Sequence, residues 1–176
     1  LLIKIKNILP KEIKSNFLES VTKIKTLLSR YFIGIAAQIT LLFVLYSVML
    51  SVIGINNALV IAFLCAILNI IPYIGPLISI VLMSVLTMTG YIDTSLINEM
   101  LSKVVYIFIG FSVVQLIDNF IIQPYIFSKS VKSHPLEVFI VIISSGMLFG
   151  IVGLIIAIPL YTAVKVIYLS YSGKEA

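Results

Sequence analysis

Residues 31–92 contain no Asp, Glu, Lys, Arg or His, and apolar side chains fill most of the stretch. As one helix rising about 1.5 Å per residue it would run on the order of 93 Å against a hydrocarbon core of about 30 Å, so it has to fold back. Two places suit a reversal. Gly54, Asn56 and Asn57 tolerate turn conformations. "NIIPYIGP" at 69–76 puts Pro72, Gly75 and Pro76 within five residues, and proline breaks a helix because it lacks the backbone donor and clashes with the preceding turn. Beyond 91–99, which carries Asp93 and Glu99, a helix is predicted from about 103 to 123, followed by a polar loop, "YIFSKSVKSHP". The last apolar stretch, 136–171, would reach about 54 Å unbroken, and "GIVG", Gly150 to Gly153, is its natural break.

The pattern therefore gives six hydrophobic segments, at about 31–54, 57–71, 76–92, 103–124, 136–149 and 152–171. Several are short for full crossings, 57–71 and 136–149 above all, so full spans and re-entrant hairpins both remain open. Ahead of them, Ile13, Phe17, Val21, Ile24 and Leu28 recur at helical spacing from Pro10 onward, with Lys14, Glu19, Lys23 and Lys25 off that stripe. This amphipathic helix either packs on a partner or lies on the headgroups. The fold class is all-α: a polytopic membrane helix bundle with broken helices or re-entrant hairpins. Its parts are a cytoplasmic amphipathic segment at 1–30, a transmembrane domain at 31–171 and a cytoplasmic tail at 172–176.

Composition sets the solvent. Of 176 residues, 61% are hydrophobic and 11% charged, with mean hydropathy +1.20, far above the roughly 45–50% apolar content of soluble domains. Charge sets the orientation. Seven of the twelve Lys and Arg residues lie in 1–30, two in 125–135, and Lys165 and Lys174 near the end, leaving only Lys103 on the other side. By the positive-inside rule residues 1–30 and the C-terminus are cytoplasmic, which places the chain in the cell membrane as a multi-pass protein. The net charge of +5 needs no nucleic acid, since the single Arg, Arg30, makes no cluster. Anionic inner-leaflet lipid accounts for it.

Candidate chemistry is sparse. Cys65 is the single cysteine and lies in an apolar segment, so it reads as a small hydrophobe. His134, the single histidine, reads as a turn residue or a lipid-facing polar group. No nucleophile-and-base pair, zinc motif or phosphate loop is present, so neither an enzyme nor a cofactor nor a metal site is expected. What remains is a polar stripe. Ser112, Gln115, Asp118, Asn119 and Gln123 recur at three and four and end at Pro124. Asp118 is the one acid within an otherwise apolar span, and a carboxylate there is costly unless paired, wetted or protonated. The stripe is either a solute or ion path, or a hydrogen-bond network gluing helices together. The 69–76 break has the same two readings. It is a binding site of the broken-helix kind, which would add Asn69 and Tyr73 to the set, or a tight surface turn.

"YFIGIAAQ" (31–38), "NIIPYIGPLI" (69–78), "QLIDNFIIQPYIFSKSVKSHPL" (115–136) and "GMLFGIVGLIIAIPLYTAVK" (146–165) resemble, in order, the signatures of the autoinducer-2 exporter family, a group of multi-span bacterial and archaeal permeases. The resemblance covers about residues 30–170 and matches the C-terminal half of longer family members. It implies secondary transport: export of the furanone-type signal autoinducer-2 for some members, sodium or lithium exchange for protons in others. It also implies a homo-oligomer and a moving transport domain of the elevator kind. The family's acidic or amide pair falls on Asp118 and Asn119, its Pro-Gly elements on Pro72, Gly75, Pro76, Gly150 and Gly153, and its "HPL" on His134, Pro135 and Leu136. Family members often carry Glu-Gly or Glu-Asn where this chain has Asp-Asn.

The function expected is a secondary-active transporter working by alternating access, with a small polar solute, or sodium and a proton, as its partners in the lipid bilayer. The candidate binding residues are Asp118, Asn119, Gln115, Gln123, Asn69 and Tyr73, and the hinge residues are Pro72, Gly75, Pro76, Gly150 and Gly153. A non-transporting scaffold is the competitor from another class. A passive channel would need polar residues from several helices, where only one clear stripe is seen. Residues 31–92 and 103–171, each a helix followed by a hairpin, hint at an inverted repeat. In full-length protein with Cys65 removed, Lys129→Cys and Asp93→Cys are expected to label from opposite faces of the membrane. One impermeant reagent reaching both from outside would overturn the orientation.

Overall fold

The computed structural model describes residues 11–90, 97–124 and 134–171. Pro10, Asp93, Lys129 and the tail at 172–176 lie outside them. Among the described residues all regular structure is helical: α1 (Lys11–Ile53), α2 (Ala58–Leu68), α3 (Ile74–Thr89), α4 (Ile97–Ile117), which runs on as a π-turn (Asp118–Ile122), and α5 (Pro135–Tyr171). The chain divides into two compact units, one formed by 33–127 and the other by 1–32 with 128–176. Residues 11–30 of the amphipathic stretch and the first apolar segment belong to one uninterrupted helix, α1.

In the unit at 33–127, α1 buries one face four residues at a time, through Gln38, Leu42, Tyr46 and Leu50, as a 3.6-residue repeat requires. It ends in a Schellman motif. The Gly54 N–H bonds to the Ser51 carbonyl and the Ile55 N–H to the Leu50 carbonyl, each at 3.0 Å. The Gly54 carbonyl in turn accepts a hydrogen bond from Lys103 Nζ of α4 at 3.0 Å. Asn57, in the left-handed region, starts α2.

α2 and α3 form a tight antiparallel hairpin whose buried residues are mostly small: Ala58, Ile61, Ala62, Cys65 and Ala66 on α2, and Gly75, Ser79, Met83, Ser84 and Thr87 on α3. Small residues let backbones approach where no hydrophobic drive exists between helices in lipid. The approach is closest at Gly75, where a Cβ would fall 2.8 Å from Asn69 Cα and run into the Leu68 carbonyl. Cys65 and Ser79 close the pair reciprocally. The Ser79 hydroxyl donates to the Cys65 carbonyl at 3.1 Å, and the thiol donates to the Ser79 carbonyl at 3.6 Å.

The tip of this hairpin is the "NIIPYIG" break, and its amides find partners within it. Asn69, Ile70 and Ile71 N–H bond to the carbonyls of Cys65, Ile67 and Leu68, while Gly75 N–H bonds to Ile71. Ile74 N–H reaches the Pro72 carbonyl at 2.8 Å. That bond closes a γ-turn centred on Tyr73, whose φ of 66° and ψ of −49° are rare and strained for a side chain of its size. Helix resumes at Ile74, so Gly75 and Pro76 lie in the first turn of α3. The missing N–H of Pro76 falls there among donors that have no intrahelical partner in any case.

The other unit contains a second hairpin. α5 breaks at Gly150, with φ 60° and ψ −143°, a region open essentially to glycine alone. Its arms, 135–149 and 151–171, run back along each other: Gly153 lies against the Ser145 carbonyl group, and Gly146 against the Leu154 side chain. Gly153 itself is helical and belongs to this arm-to-arm contact, while the break is at Gly150. Further along, the Tyr161 hydroxyl donates to Glu137, and Lys165 Nζ lies 3.3 Å from the same carboxylate oxygen. His134 caps the first arm, its carbonyl accepting from Glu137 and Val138 N–H and its Nδ1 from Leu136 N–H.

Among the described residues, three helices are long and apolar enough to cross a membrane by length and composition: Leu18–Ile53, Asn98–Ile122 and Leu136–Leu169. The last of these is folded in two at Gly150. α2 and α3, at 11 and 16 residues, fall short of the about 20 that a straight crossing takes. Large apolar side chains face outward, Val52 at 83% and Met147 at 84% exposure among them, as a lipid-facing surface would present them.

Gly150→Ala is expected to destabilise the protein by about 1–3 kcal/mol through backbone strain alone, because nothing lies within 4 Å of the Cβ it would add. Thermal unfolding in detergent reads this, and an unchanged midpoint would contradict the assigned break.

Candidate functional site

The polar stripe begins on α4 as the spacing predicts and then changes pitch. From Asp118 to Ile122 the backbone is a π-turn, and the Gln123 N–H bonds to the Asp118 carbonyl five residues back. In an α-helix, positions five apart diverge by about 140°. The wider turn instead brings Gln123 over Asp118, and Gln123 Nε2 donates to Asp118 Oδ2 at 2.7 Å. Such single π-turns recur at functional positions.

Asp118 is wholly buried. From α1, Gln38 Nε2 donates to its Oδ1 at 2.9 Å and lies 3.2 Å from its Oδ2. Two neutral amides thus hold the carboxylate, and it forms no ion pair among the described residues. Gln123 Nε2 also donates to Asn119 Oδ1 at 3.1 Å, so carboxylate, glutamine and asparagine are tied into one group. Ser112 stays apart, exposed, with its hydroxyl on the Phe108 carbonyl.

A second group lies between α1, α4 and the hairpin tip. The buried Tyr46 stacks its ring on Phe111, with centroids 5.7 Å apart and planes within 1°. Its hydroxyl donates to Gln115 Oε1 at 3.2 Å and accepts from Asn69 Nδ2 at 3.4 Å. Asn69 Nδ2 divides its two hydrogens among three acceptors, the closer ones being the Cys65 carbonyl at 2.7 Å and Ser79 Oγ at 3.2 Å. The carbonyl oxygen of the Asn69 side chain is buried without a partner.

Between the two groups opens a groove of about 590 Å³, lined by Gln115, Asn119 and Gln123 on the α4 side and by Tyr73, Pro76, Leu77 and Ile80 of the hairpin, with Phe111. Amides from the stripe therefore face the strained γ-turn across a cleft, and the lining carries no charged side chain. Asp118 sits behind this wall, reaching it through Gln123. Of the residues named from sequence, Gln115, Asn119, Gln123, Tyr73 and Pro76 come together at the groove. Asn69 and Asp118 stand just behind it, and Pro72 and Gly75 shape the tip. Gly150 and Gly153 lie in the other unit. Among the described residues no three His, Cys, Asp or Glu side chains gather to hold a metal.

Sequence reasoning missed Gln38 and Tyr46. The one signal for them was that Gln38 is the single side-chain amide between residues 31 and 53 and stands two helical turns from Tyr46.

A family model described as "AI-2E family transporter" matches residues 1–173. Three relatives carry names that mark them as inferred transport proteins. YueF of Bacillus subtilis (strain 168) is 31% identical over 117 residues, covering 66% of this chain and 29% of the relative. YrrI of the same strain is 30% identical over 120 residues, 68% of this chain and 31% of the relative. A protein of Borreliella burgdorferi is 30% identical over 168 residues, 94% of this chain and 44% of the relative. The chain spans less than half the length of these curated relatives. No solved structure matches at a significant level. With the model covering nearly all of this apolar, all-helical chain, the chain belongs to the AI-2E family of membrane transporters.

Proposed function

We propose that the protein is a secondary-active transporter that moves a small polar solute out of the cell by alternating access, and that the groove between the hairpin tip and the α4 stripe is its binding site. The observation that carries this reading is the two-sided lining. Three amides able to donate and accept hydrogen bonds face the tip of an interrupted helix within a chain otherwise built of apolar residues. The backbone bonds of the tip run within the hairpin itself.

A specific feature favours the second reading, exchange of sodium or lithium for protons. Asp118 is a buried carboxylate with no cationic partner among the described residues, and a group of that kind binds a proton or a cation in turn. Both readings place residues 1–30 and the C-terminus in the cytoplasm, on the distribution of Lys and Arg, and take the working unit as a homo-oligomer by the family resemblance. They treat both hairpins as re-entrant, which the lengths of α2 and α3 support.

Asp118→Asn separates transport from scaffolding. The substitution removes the charge and puts an N–H₂ where Gln38 and Gln123 both donate, so one glutamine has to turn its amide over. In proteoliposomes of the full-length protein, flux driven by a proton gradient is expected to fall roughly 5- to 150-fold, the range of ordinary coupling free energies, and to lose its dependence on pH. Coupled flux with an unchanged pH profile would reject Asp118 as the coupling group. Absence of flux in the wild type under every gradient would favour the scaffold.

A further inference from the structure

Both glutamines around Asp118 present their nitrogen to it. Gln38 Nε2 donates to Oδ1 at 2.9 Å, and Gln123 Nε2 divides its two hydrogens between Asp118 Oδ2 at 2.7 Å and Asn119 Oδ1 at 3.1 Å. Each contact sets an N–H against an oxygen, the arrangement that serves an ionised carboxylate, which only accepts. A protonated carboxyl carries a hydroxyl hydrogen as well, and a buried donor left without an acceptor is costly. A side-chain amide supplies that acceptor by exchanging its N–H₂ and oxygen ends in place. The distances decide which amide turns. A proton on Oδ2 lies toward Gln123, at 2.7 Å, and leaves the Gln38 bond to Oδ1 as it is. A proton on Oδ1 would require Gln38 to turn, and its oxygen would then take the place of an Nε2 that stands 3.2 Å from the still-accepting Oδ2.

We infer that Gln123 is a positioning residue that carries the protonation state of Asp118 to the groove wall. When a proton from the aqueous phase forms the O–H at Oδ2, Gln123 turns its Oε1 to that hydrogen. Asn119 Oδ1 then faces an oxygen where an N–H stood, so Asn119 turns too and donates to the second lone pair of Gln123 Oε1. Both residues line the groove. With Asp118 ionised, the ends left for a solute are the oxygen of Gln123 and the N–H₂ of Asn119. With Asp118 protonated, they are the N–H₂ of Gln123 and the oxygen of Asn119. The order of donor and acceptor along the wall is reversed while the backbone stays in place. A solute with a fixed donor beside a fixed acceptor, as in an amide, fits one order and meets like groups in the other. A hydroxyl adapts to both. Among the described residues, Tyr46 of α1 is the titratable group in electrical contact with Asp118, its hydroxyl engaged by Gln115 and Asn69, and Tyr73 stands across the groove. That a solute meets the reversal rests on the transport reading above; the turning of the amides rests on the hydrogen bonds around Asp118.

Infrared difference spectroscopy reads the turning without a solute. The full-length protein in liposomes is titrated, and the band of the protonated Asp118 carboxyl is assigned by its loss in Asp118→Asn. The same titration step is expected to shift side-chain amide bands. That shift is expected to be lost in Gln123→Met, which keeps the length of the side chain without its amide, and to be kept in Gln38→Met. A merely structural role for Gln123 predicts a carboxyl band with no amide shift. The inference is overturned by a wild type with no carboxyl band or no amide shift, by a shift that survives Gln123→Met, or by one that is lost in Gln38→Met while the carboxyl band remains. Should Gln123→Met fail to assemble, Asn119→Leu takes its place and is expected to lose part of the shift; an unchanged shift there overturns the inference equally. Absence of flux in the wild type would remove the solute step and leave the titration result standing, so the two failures are distinguishable.

Discussion

Hydrocarbon offers no water to a broken backbone, so each interruption of a helix in this chain has to find its hydrogen bonds nearby. The first break does so through the Schellman bonds at Gly54 and Ile55, with a lysine from α4 on the last carbonyl. The second does so with a γ-turn that forces Tyr73 to positive φ and with amides bonded back into α2. The amides of Asn69, Ile70, Ile71, Ile74 and Gly75 bond to backbone carbonyls of the turn and of α2, so they do not draw on the side chains around them. Those side chains are left to bond with one another and to line the groove, and the polar organisation of the 33–127 unit follows from that.

The carboxylate shows how local pitch decides chemistry. A regular α-helix through 118–123 would carry Gln123 away from Asp118, leaving a buried acid with Gln38 as its one partner. The π-turn adds a second donor at 2.7 Å and at the same time turns Gln123 and Asn119 toward the cleft. A single change in winding therefore satisfies the acid and builds one wall of the groove. The uncharged lining follows from it too, since the charge is kept one residue behind the surface that a solute would touch.

The order of the helices was legible because it rests on length and hydropathy. An uncharged run of 62 residues must fold back, and Gly and Pro mark where. The stripe on α4 was legible from its spacing up to residue 118. The π-turn was not, because nothing in "DNFII" encodes an extra residue per turn. The α1 side of the site was hidden for another reason. Gln38 and Tyr46 acquire a role only through partners 23 to 80 positions away, a distance at which periodicity is silent. The continuity of α1 across residue 30 was missed because the change from amphipathic to wholly apolar pattern reads as a boundary, while a helix backbone passes through such a change without interruption.

The two halves of the site also differ in how firmly they are held. Around Asp118 the bonds run from 2.7 to 2.9 Å and involve a buried carboxyl group, the strongest kind of neutral-donor contact if it is ionised, so Gln38, Asp118 and Gln123 bind α1 to the end of α4. Around Tyr46 the bonds are long and neutral, and one acceptor of Asn69 goes unused. The alternating access proposed above would use both properties side by side: a wall whose groups keep their positions, and an opposite edge held by weaker contacts. In this chain the division follows secondary structure. The firm contacts join one long helix to another, and the weaker ones join a long helix to the tip of a short hairpin held at its far end by the turns at 54–57.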